Sequence, residues 1–279
     1  MAKKISINEE ELKRLYYEEN KSVKFLSDYF NVAKCTIIRR LKKLEVPIKT
    51  STILNRKYNV DETYFENINT KQKAYLLGFI CADGWVVNST RSGNPSALGL
   101  SLSKKDIEIV ELLKHEISSE HPIKIKKDKN NGNEYATLYI SSVKIAKDLI
   151  RMGVHPNKSL DLNLKKVSEY VPDNFKKYLL LGYFDGDGCI TSALGQNRKT
   201  VLWQLSVTGT KETGEYFKEF FDSHGFFTKR HKDDKNNYTF MISGKNLVYQ
   251  ALSKLYDEDT SFCLQRKYKK YLTIKSPIE

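Results

Sequence analysis

The sequence predicts an α+β fold made of two copies of one αββαββα unit in a single chain, behind a small all-α module. Three observations lead there. The chain has 279 residues, enough for about two domains at roughly 150 residues each. From residue 70 onward it repeats itself: KQKAYLLGFICADGWV (71–86) returns as NFKKYLLLGYFDGDGCI (174–190), an offset of about 104 residues. Before the repeat, residues 9–46 carry helical periodicity alone. The expected bounds are 1–50 for the helical module, 51–69 for a linker, 70–165 for the first half and 166–279 for the second.

Within the module, Glu9 to Glu18 sets Leu12, Leu15 and Tyr16 on one helical face. Ser22 is the expected N-cap of a second helix whose Val23, Leu26, Tyr29 and Phe30 share a face. After the break Asn31-Val32-Ala33, a third helix runs from about Lys34 to Leu44 on Ile37, Ile38, Leu41 and Leu44, and Pro47 marks its stop. In the repeat, each apolar opening helix leads to a β-like segment and then to a helical one. These are LGLSLS (98–103) with KDIEIVELLKHEIS (105–118), and WQLSVT (203–208) with KETGEYFKEFFDSH (211–224). Basic strand-like segments follow, IKIKKDK (123–129) and FFTKRHKDDK (226–235). Asn-rich turns lead from them into EYATLYIS (134–141) and NYTFMIS (237–243), and the helices SVKIAKDLIRMG (142–153) and GKNLVYQALSKLY (244–256) close the units. Pro172 precedes the second half at a position that favours a helix start.

Lys and Arg number 47 against 34 Asp and Glu, a net charge of +13. Residues 1–60 hold 14 basic and 7 acidic residues, leaving +6 for the remainder, so the excess is not one tail. Basic residues spread through folded sequence point to a polyanionic partner, most often nucleic acid. At 40% hydrophobic and 11% aromatic residues the chain can bury a core, which excludes disorder. No apolar run approaches the roughly 20 residues that a bilayer span needs. The start MAKKISINEEE lacks the apolar stretch of a secretory signal, so no membrane partner is expected. Cys35, Cys81, Cys189 and Cys263 stand far apart without CxxC spacing. That argues against a zinc cluster or a disulfide framework and suits a reducing cytoplasm.

Ala74, Gly78 and Ala82 recur at four-residue spacing on one helical face, and Tyr178, Gly182 and Gly186 hold the matching face of the second copy. Small residues so spaced let two helix backbones approach closely. Each helix runs out in Asp-Gly, Asp83-Gly84 and Asp187-Gly188, where the glycine is expected to supply the C-terminal turn. Packed small face to small face, the helices would bring both aspartates to one end of the pair. Adjacent carboxylates repel unless a cation sits between them. The helix C-termini add free carbonyls, those of Ala82 and Gly186 included. Hard oxygen ligands without His or Cys suit Mg²⁺, which binds through few carboxylates plus waters and substrate phosphates. In a basic protein this donor set points to metal-assisted hydrolysis of a phosphodiester. A single Asp-Gly at a helix end reads as a cap; two, in equivalent places of a duplicated unit, read as a site.

LLGFICADG (76–84) and LLGYFDGDG (180–188) resemble the paired motifs of single-chain LAGLIDADG homing endonucleases, and the resemblance covers about residues 65 to 275. It implies a pseudo-symmetric duplication whose two sheets form a saddle over the DNA major groove, with the metal-binding acidic positions at Asp83 and Asp187. It further implies staggered, site-specific cleavage of both strands across the minor groove at a long asymmetric target, and association with a mobile genetic element. One position departs from the pattern. The earlier motif aspartate is Asp185 in the second copy but Cys81 in the first, where a packed small residue is expected rather than a nucleophile.

Strand alternation directs Ile123 and Ile125 to the core and Lys124 and Lys126 to DNA, with Tyr135, Thr137 and Tyr139 alternating against Ala136, Leu138 and Ile140 on the next strand. The second half offers Gln204 and Ser206, then Lys229 and His231 on one side of a strand and Arg230 and Lys232 on the other. Arg, Lys and Gln read base edges in the major groove, and Lys or Arg also grip phosphates. Cleavage needs a cation near the scissile phosphate. Lys158 in HPNKSL (155–160) and Lys267 in CLQRKYKKY (263–271) occupy similar places after the last helix of each half, while Lys104 and Lys211 compete for the role. His155 has no counterpart in the second half and is set aside.

The segment SVKFLSDYFNVAKCTIIRRLKKLEVPIKT (22–50) resembles a helix-turn-helix, whose second helix would present Lys34, Thr36, Arg39, Arg40 and Lys43 to base edges. A three-helix protein-interaction module is the alternative. The expectation is a monomeric, cytoplasmic, Mg²⁺-dependent endonuclease acting on double-stranded DNA. Two others stay open: a non-cleaving DNA-binding regulator, which the two aspartates oppose, and an RNA maturase that binds intron RNA. The ends lack the Cys/Ser start and His-Asn finish of a self-excising intein, so a free-standing or intron-encoded protein is expected.

Overall fold

The computed structural model describes residues 7–19, 21–46, 58–90, 92–130, 132–194, 201–224, 229–234, 237–256 and 262–274. They form two compact units that divide between Asn59 and Val60.

In the N-terminal unit, α1 (Glu9–Lys13) is capped by Asn8, whose side chain accepts from the amides of Glu10 and Glu11 at 3.1 and 3.2 Å. The helix widens over Arg14–Glu18, where Glu19 N–H reaches back to Arg14 O. Ser22 caps α2 (Val23–Tyr29) by accepting from Phe25 N–H at 3.0 Å. In the turn to α3 (Lys34–Lys43), Asn31 takes a left-handed φ of 50°, which Asn tolerates better than most side chains. Ile7, Leu12, Leu15, Tyr16, Leu26, Ile37 and Leu41 are the core. Tyr29, assigned to the inner face by its spacing, is exposed instead; its hydroxyl donates to Glu11 Oε1 at 2.8 Å, a bond that burial would forgo.

The second unit begins earlier than the sequence reading placed it. Residues 60–69, assigned to the linker, are part of its core: Tyr64, Phe65 and Ile68 are buried, and Tyr64 donates to Glu116 at 2.9 Å. Four apolar side chains in a polar stretch, Val60 included, are too few to register as a period. Residues 51–57 of that linker lie outside the described residues.

The first half runs α4 (Lys71–Asp83), β1 (Gly84–Asn88), β2 (Pro95–Ser103), α5 (Ile107–Glu116), β3 (Lys124–Lys127), β4 (Glu134–Ile140) and α6 (Val143–Arg151). A short helix, α7 (Leu164–Val167), leads to the second half. That half runs α8 (Lys176–Asp187), β5 (Gly188–Leu194), β6 (Val201–Gly209), α9 (Lys211–Asp222), β7 (Lys229–Asp234), β8 (Asn237–Ser243) and α10 (Lys245–Leu255). The two antiparallel sheets have orders β1-β2-β4-β3 and β5-β6-β8-β7, so both halves share the αββαββα wiring. Besides α7, a second helix beyond the expected set, α11 (Gln265–Ile274), follows α10. Its inward face is Lys267, Tyr271 and Ile274, and a lysine at the head of that face hides the apolar period.

Each sheet buries one face against helices. Leu98, Leu100, Ala136, Leu138 and Ile140 pack with α5 and α6, and Leu205, Val207, Phe240 and Ile242 with α9 and α10. Alternation along β4 leaves Tyr135, Thr137 and Tyr139 on the open face. Ile125 departs from its expected burial. It stands opposite Ala136, on the core side, but β3 is the edge strand and leaves it 43% exposed. No helix among the described residues is long and apolar enough to cross a membrane.

Candidate active site

Helices α4 and α8 meet backbone to backbone. A Cβ on Gly78 would lie 2.0 Å from Leu179 O, and a Cβ on Gly182 would lie 1.9 Å from Tyr75 O, so the contact is reciprocal between the copies. One turn further on, a Cβ on Gly186 would lie 2.3 Å from the Cβ of Ala82 and 2.9 Å from Asp83 Oδ2. Glycine alone admits this approach, and it draws the C-terminal ends of both helices together. Gly84 and Gly188 differ from expectation. Both are extended, with φ of −78° and −84°, so neither supplies a left-handed turn. Their requirement is steric: a Cβ would fall 2.8 Å from Ile80 Cγ2 at Gly84 and 2.2 Å from Phe184 Cδ2 at Gly188.

Asp83 and Asp187 are the last residues of α4 and α8. Burial pushes the Asp83 carboxyl up to about 6; the charge of Asp187 adds to the rise, and Lys267 and Lys158 oppose it. The Asp187 carboxyl is raised as well, chiefly by burial, although the residue opens to solvent on one side. The Tyr183 hydroxyl donates to Thr208 O at 3.2 Å, and its nearness to Asp187 opposes the rise of that carboxyl.

Two buried lysines complete the cluster, each only 5% exposed. Lys158 donates to Ala82 O at 2.9 Å. Lys267 donates to the carbonyls of Phe184 and Asp185 at 2.7 Å, to Gly186 O at 3.3 Å and to Gly188 O. An ammonium has three protons, so these carbonyls share them. Burial lowers both lysines, Lys267 to about 8. The site therefore joins raised carboxyls and lowered ammoniums at helix ends whose carbonyl dipoles favour cations. The Ala82 and Gly186 carbonyls, read from the sequence as metal ligands, accept from these lysines, and each keeps a second lone pair.

The competing lysines are engaged in surface ion pairs, Lys104 with Glu134 at 2.8 Å and Lys211 with Glu215 at 3.9 Å. His155 is exposed. Cys81 is buried with its thiol pushed up to about 12, which keeps it protonated near neutral pH. Sequence reasoning passed over Tyr183 and gave Asp185 no role of its own. Asp185 is 1% exposed and accepts from Tyr75 OH at 2.8 Å, Tyr256 OH at 2.7 Å and Leu264 N–H at 2.8 Å. The available signal was the Cys81/Asp185 mismatch within an otherwise matching repeat.

On the open face of the first sheet, Lys124 stands opposite Thr137 and Lys126 opposite Tyr135. Ser101 and Thr137 share a hydrogen bond of 2.7 Å, and the Trp85 ring lies over Gly99, where a Cβ would come within 2.2 Å of it. Across the second sheet, Gln204 reaches Ser243 Oγ at 3.5 Å. Lys229 and Arg230 fall on β7 opposite Met241 and Phe240, and their side chains lie outside the described ones. In the N-terminal unit Lys34, Arg39 and Lys43 are exposed on α3 and Thr36 is half-buried. Arg40 differs from these: it is tied to Glu9 Oε1 at 3.0 Å within the unit.

No protein-family model matches the chain, and no curated protein matches it. Several solved structures are similar. The I-LtrWI LAGLIDADG homing endonuclease bound to target DNA is 12% identical with a TM-score of 0.48, over 73% of this chain and 89% of that one. I-SmaMI bound to uncleaved DNA target in the presence of calcium ions is 12% identical with a TM-score of 0.46, over 72% and 89%. The LAGLIDADG meganuclease I-AabMI bound to uncleaved DNA is 14% identical with a TM-score of 0.46, over 74% and 98%.

Proposed function

We propose that the chain is a divalent-metal-dependent endonuclease of the LAGLIDADG type, cutting both strands of DNA at a long asymmetric site. The observation that carries this reading is the pairing of Asp83 and Asp187 at the ends of two glycine-locked helices, with Lys158 and Lys267 buried beside them. The donor set fits a hard cation. Among the described residues no cluster of three or more His, Cys, Asp or Glu side chains forms a cage, so two carboxylates suit an ion that keeps several waters, as Mg²⁺ does. Bound there, such an ion would supply an activated water and stabilise the leaving oxygen.

The chain's own residues have definable tasks. Asp83 and Asp187 hold the negative charge that draws the cation, and Tyr183 beside Asp187 favours its ionised form. Lys158 and Lys267 stand ready to meet the charge that develops on the phosphate oxygens. The open sheet faces supply recognition through Lys124, Lys126, Tyr135, Thr137 and Gln204. Because the two sheets carry different side chains at matching places, the target they read is asymmetric. Lys34, Arg39 and Lys43 on α3 extend the footprint as a helix-turn-helix. With both motifs in one chain, a monomer holds a whole site.

The test is incubation with DNA spanning the uninterrupted allele of the host gene, in Mg²⁺, in Ca²⁺ and in EDTA. The expected result is a double-strand break in Mg²⁺, with binding but suppressed cutting in Ca²⁺. Tight, sequence-specific binding without cutting in any divalent metal would refute the nuclease and favour a DNA-binding regulator.

A further inference from the structure

We propose that Asp185 is a positioning residue for Lys267, and that the first half holds Lys158 without a carboxylate. Only the cleavage consequence rests on the endonuclease reading.

The geometry forms a closed circuit. Asp185 accepts from Leu264 N–H, at the start of α11, and Lys267 N–H in turn bonds Leu264 O at 3.0 Å. The Lys267 ammonium then returns to the carbonyl of Asp185 itself, at 2.7 Å. The same turn is pinned by two more carboxylates. Gln265 N–H donates to Glu108 Oε1 at 2.7 Å, and Arg266 forms a two-pronged pair with Asp106 at 2.7 and 3.0 Å. Three successive residues are thus each fixed by an acid, which suits the first turn of a helix. The fourth is Lys267. Glu108 and Asp106 belong to the first half, so α11 is held from both halves while it delivers the lysine to the ends of the central helices.

The first half lacks this arrangement in a concerted way. Asp185, Tyr75 and Tyr256 make a buried polar trio, and the residues about 104 positions away are Cys81, Leu179 and Met152. All six are buried. A lone exchange of Asp for Cys would strand two hydroxyls, but here all three members have changed together. Among the described residues Lys158 gives a single hydrogen bond, to Ala82 O. Its turn is held by Leu162 N–H on Lys158 O at 2.9 Å, and Leu162 O accepts from the Thr210 and Thr213 hydroxyls, so the two lysines are held by different means, one through carboxylates and one through hydroxyls.

The first arm of the test needs no DNA. Brief acetylation of the full chain with an amine-reactive ester, read by peptide mass spectrometry, reports how open each lysine is. Both Lys158 and Lys267 should be protected in the parent protein. In Asp185→Asn, Lys267 labelling should rise by about tenfold, the scale of one lost charge-assisted hydrogen bond, with Lys158 unchanged. Tyr256→Phe, which keeps the ring, should give a smaller rise at Lys267 alone. If Asp185→Asn fails to fold, Tyr256→Phe and Tyr75→Phe decide the matter. Unchanged Lys267 labelling in the folded variants overturns the proposal, and so does an equal rise at Lys158, which marks general loosening.

The second arm uses a target duplex labelled on each strand. Asp185→Asn should slow the same strand that Lys267→Ala slows and spare the other, whereas equal slowing of both strands overturns the positioning role. If the parent protein cuts no DNA, the proposed function fails and the acetylation arm alone decides this inference.

Discussion

Replacing Asp83 by Asn removes one of two charges that the helix pair forces together, while keeping the side-chain shape. The Asp83 carboxyl rises from 3.8 to about 6 through burial and the charge of Asp187. A difference of that size corresponds to about 3 kcal/mol when the group is fully charged. Solvent reaches part of the side chain, so screening leaves about 1–2 kcal/mol. The sign follows from proton binding. The folded state holds the Asp83 proton more tightly than the unfolded chain, so its favourable contribution is present below pH 4 and is lost as pH rises through 6. Metal-free Asp83→Asn should therefore melt roughly 3–6 °C above the parent protein at pH 7.5. The gap should narrow at pH 5 and close near pH 4. Mg²⁺ should stabilise the parent at pH 7.5 and the variant much less. Scanning calorimetry across this range, with and without Mg²⁺, measures both effects. A melting difference that stays flat from pH 4.5 to 7.5 would refute the argument that these carboxylates are crowded into repulsion.

Other outcomes follow from the same contacts. Gly182→Ala sets a methyl 1.9 Å from Tyr75 O, so the helices must part; urea denaturation should show a loss of about 3 kcal/mol or failure to fold. A chain of residues 60–279 keeps both aspartates and loses Lys34, Arg39 and Lys43. Its DNA affinity should fall, and the slope of log affinity against log salt should drop by about 3 if each contacts a phosphate. Anisotropy titrations over a salt series check this, and cutting should persist at high protein concentration. Cys81→Ala should leave cleavage rates intact in a time course, because a thiol pushed up to about 12 is not a nucleophile near neutral pH.

The duplicated fold is legible in the sequence because the apolar periods of the halves recur in the same order, and the helix pair is legible in the spacing of Gly78, Gly182 and Gly186. What escapes the sequence is long-range. Asp185 finds its partners 110, 71 and 79 residues away, at Tyr75, Tyr256 and Leu264. Helix α11 escapes because Lys267 occupies its inward face as a donor to carbonyls, where a period-based reading looks for an apolar residue. Arg40 reads as a free cation on α3 until Glu9, 31 residues earlier, is seen beside it. Gly84 and Gly188 mark the correct positions for the wrong reason, since the crowding of Ile80 and Phe184 appears only once the helices are built.

The pairing of Tyr75 with Asp185 also restricts which halves can associate. Tyr75 comes from the first copy and Asp185 from the second, and each is buried against the other. Two second halves joined through the same glycines would set Asp185 against Leu179, so that in each copy the carboxylate keeps Tyr256 and Leu264 and loses its third donor. Two first halves would set Tyr75 against Cys81. A buried carboxylate or hydroxyl that loses a hydrogen-bond partner costs about 1–3 kcal/mol, so each symmetrical pair is disfavoured against the mixed one. Halves produced as separate chains should associate with each other and not with themselves, as sedimentation of the separate and mixed chains can show. The mixed pair is the one arrangement that partners Tyr75 and gives Asp185 all three donors, a bias that a half-length chain pairing with itself would lack.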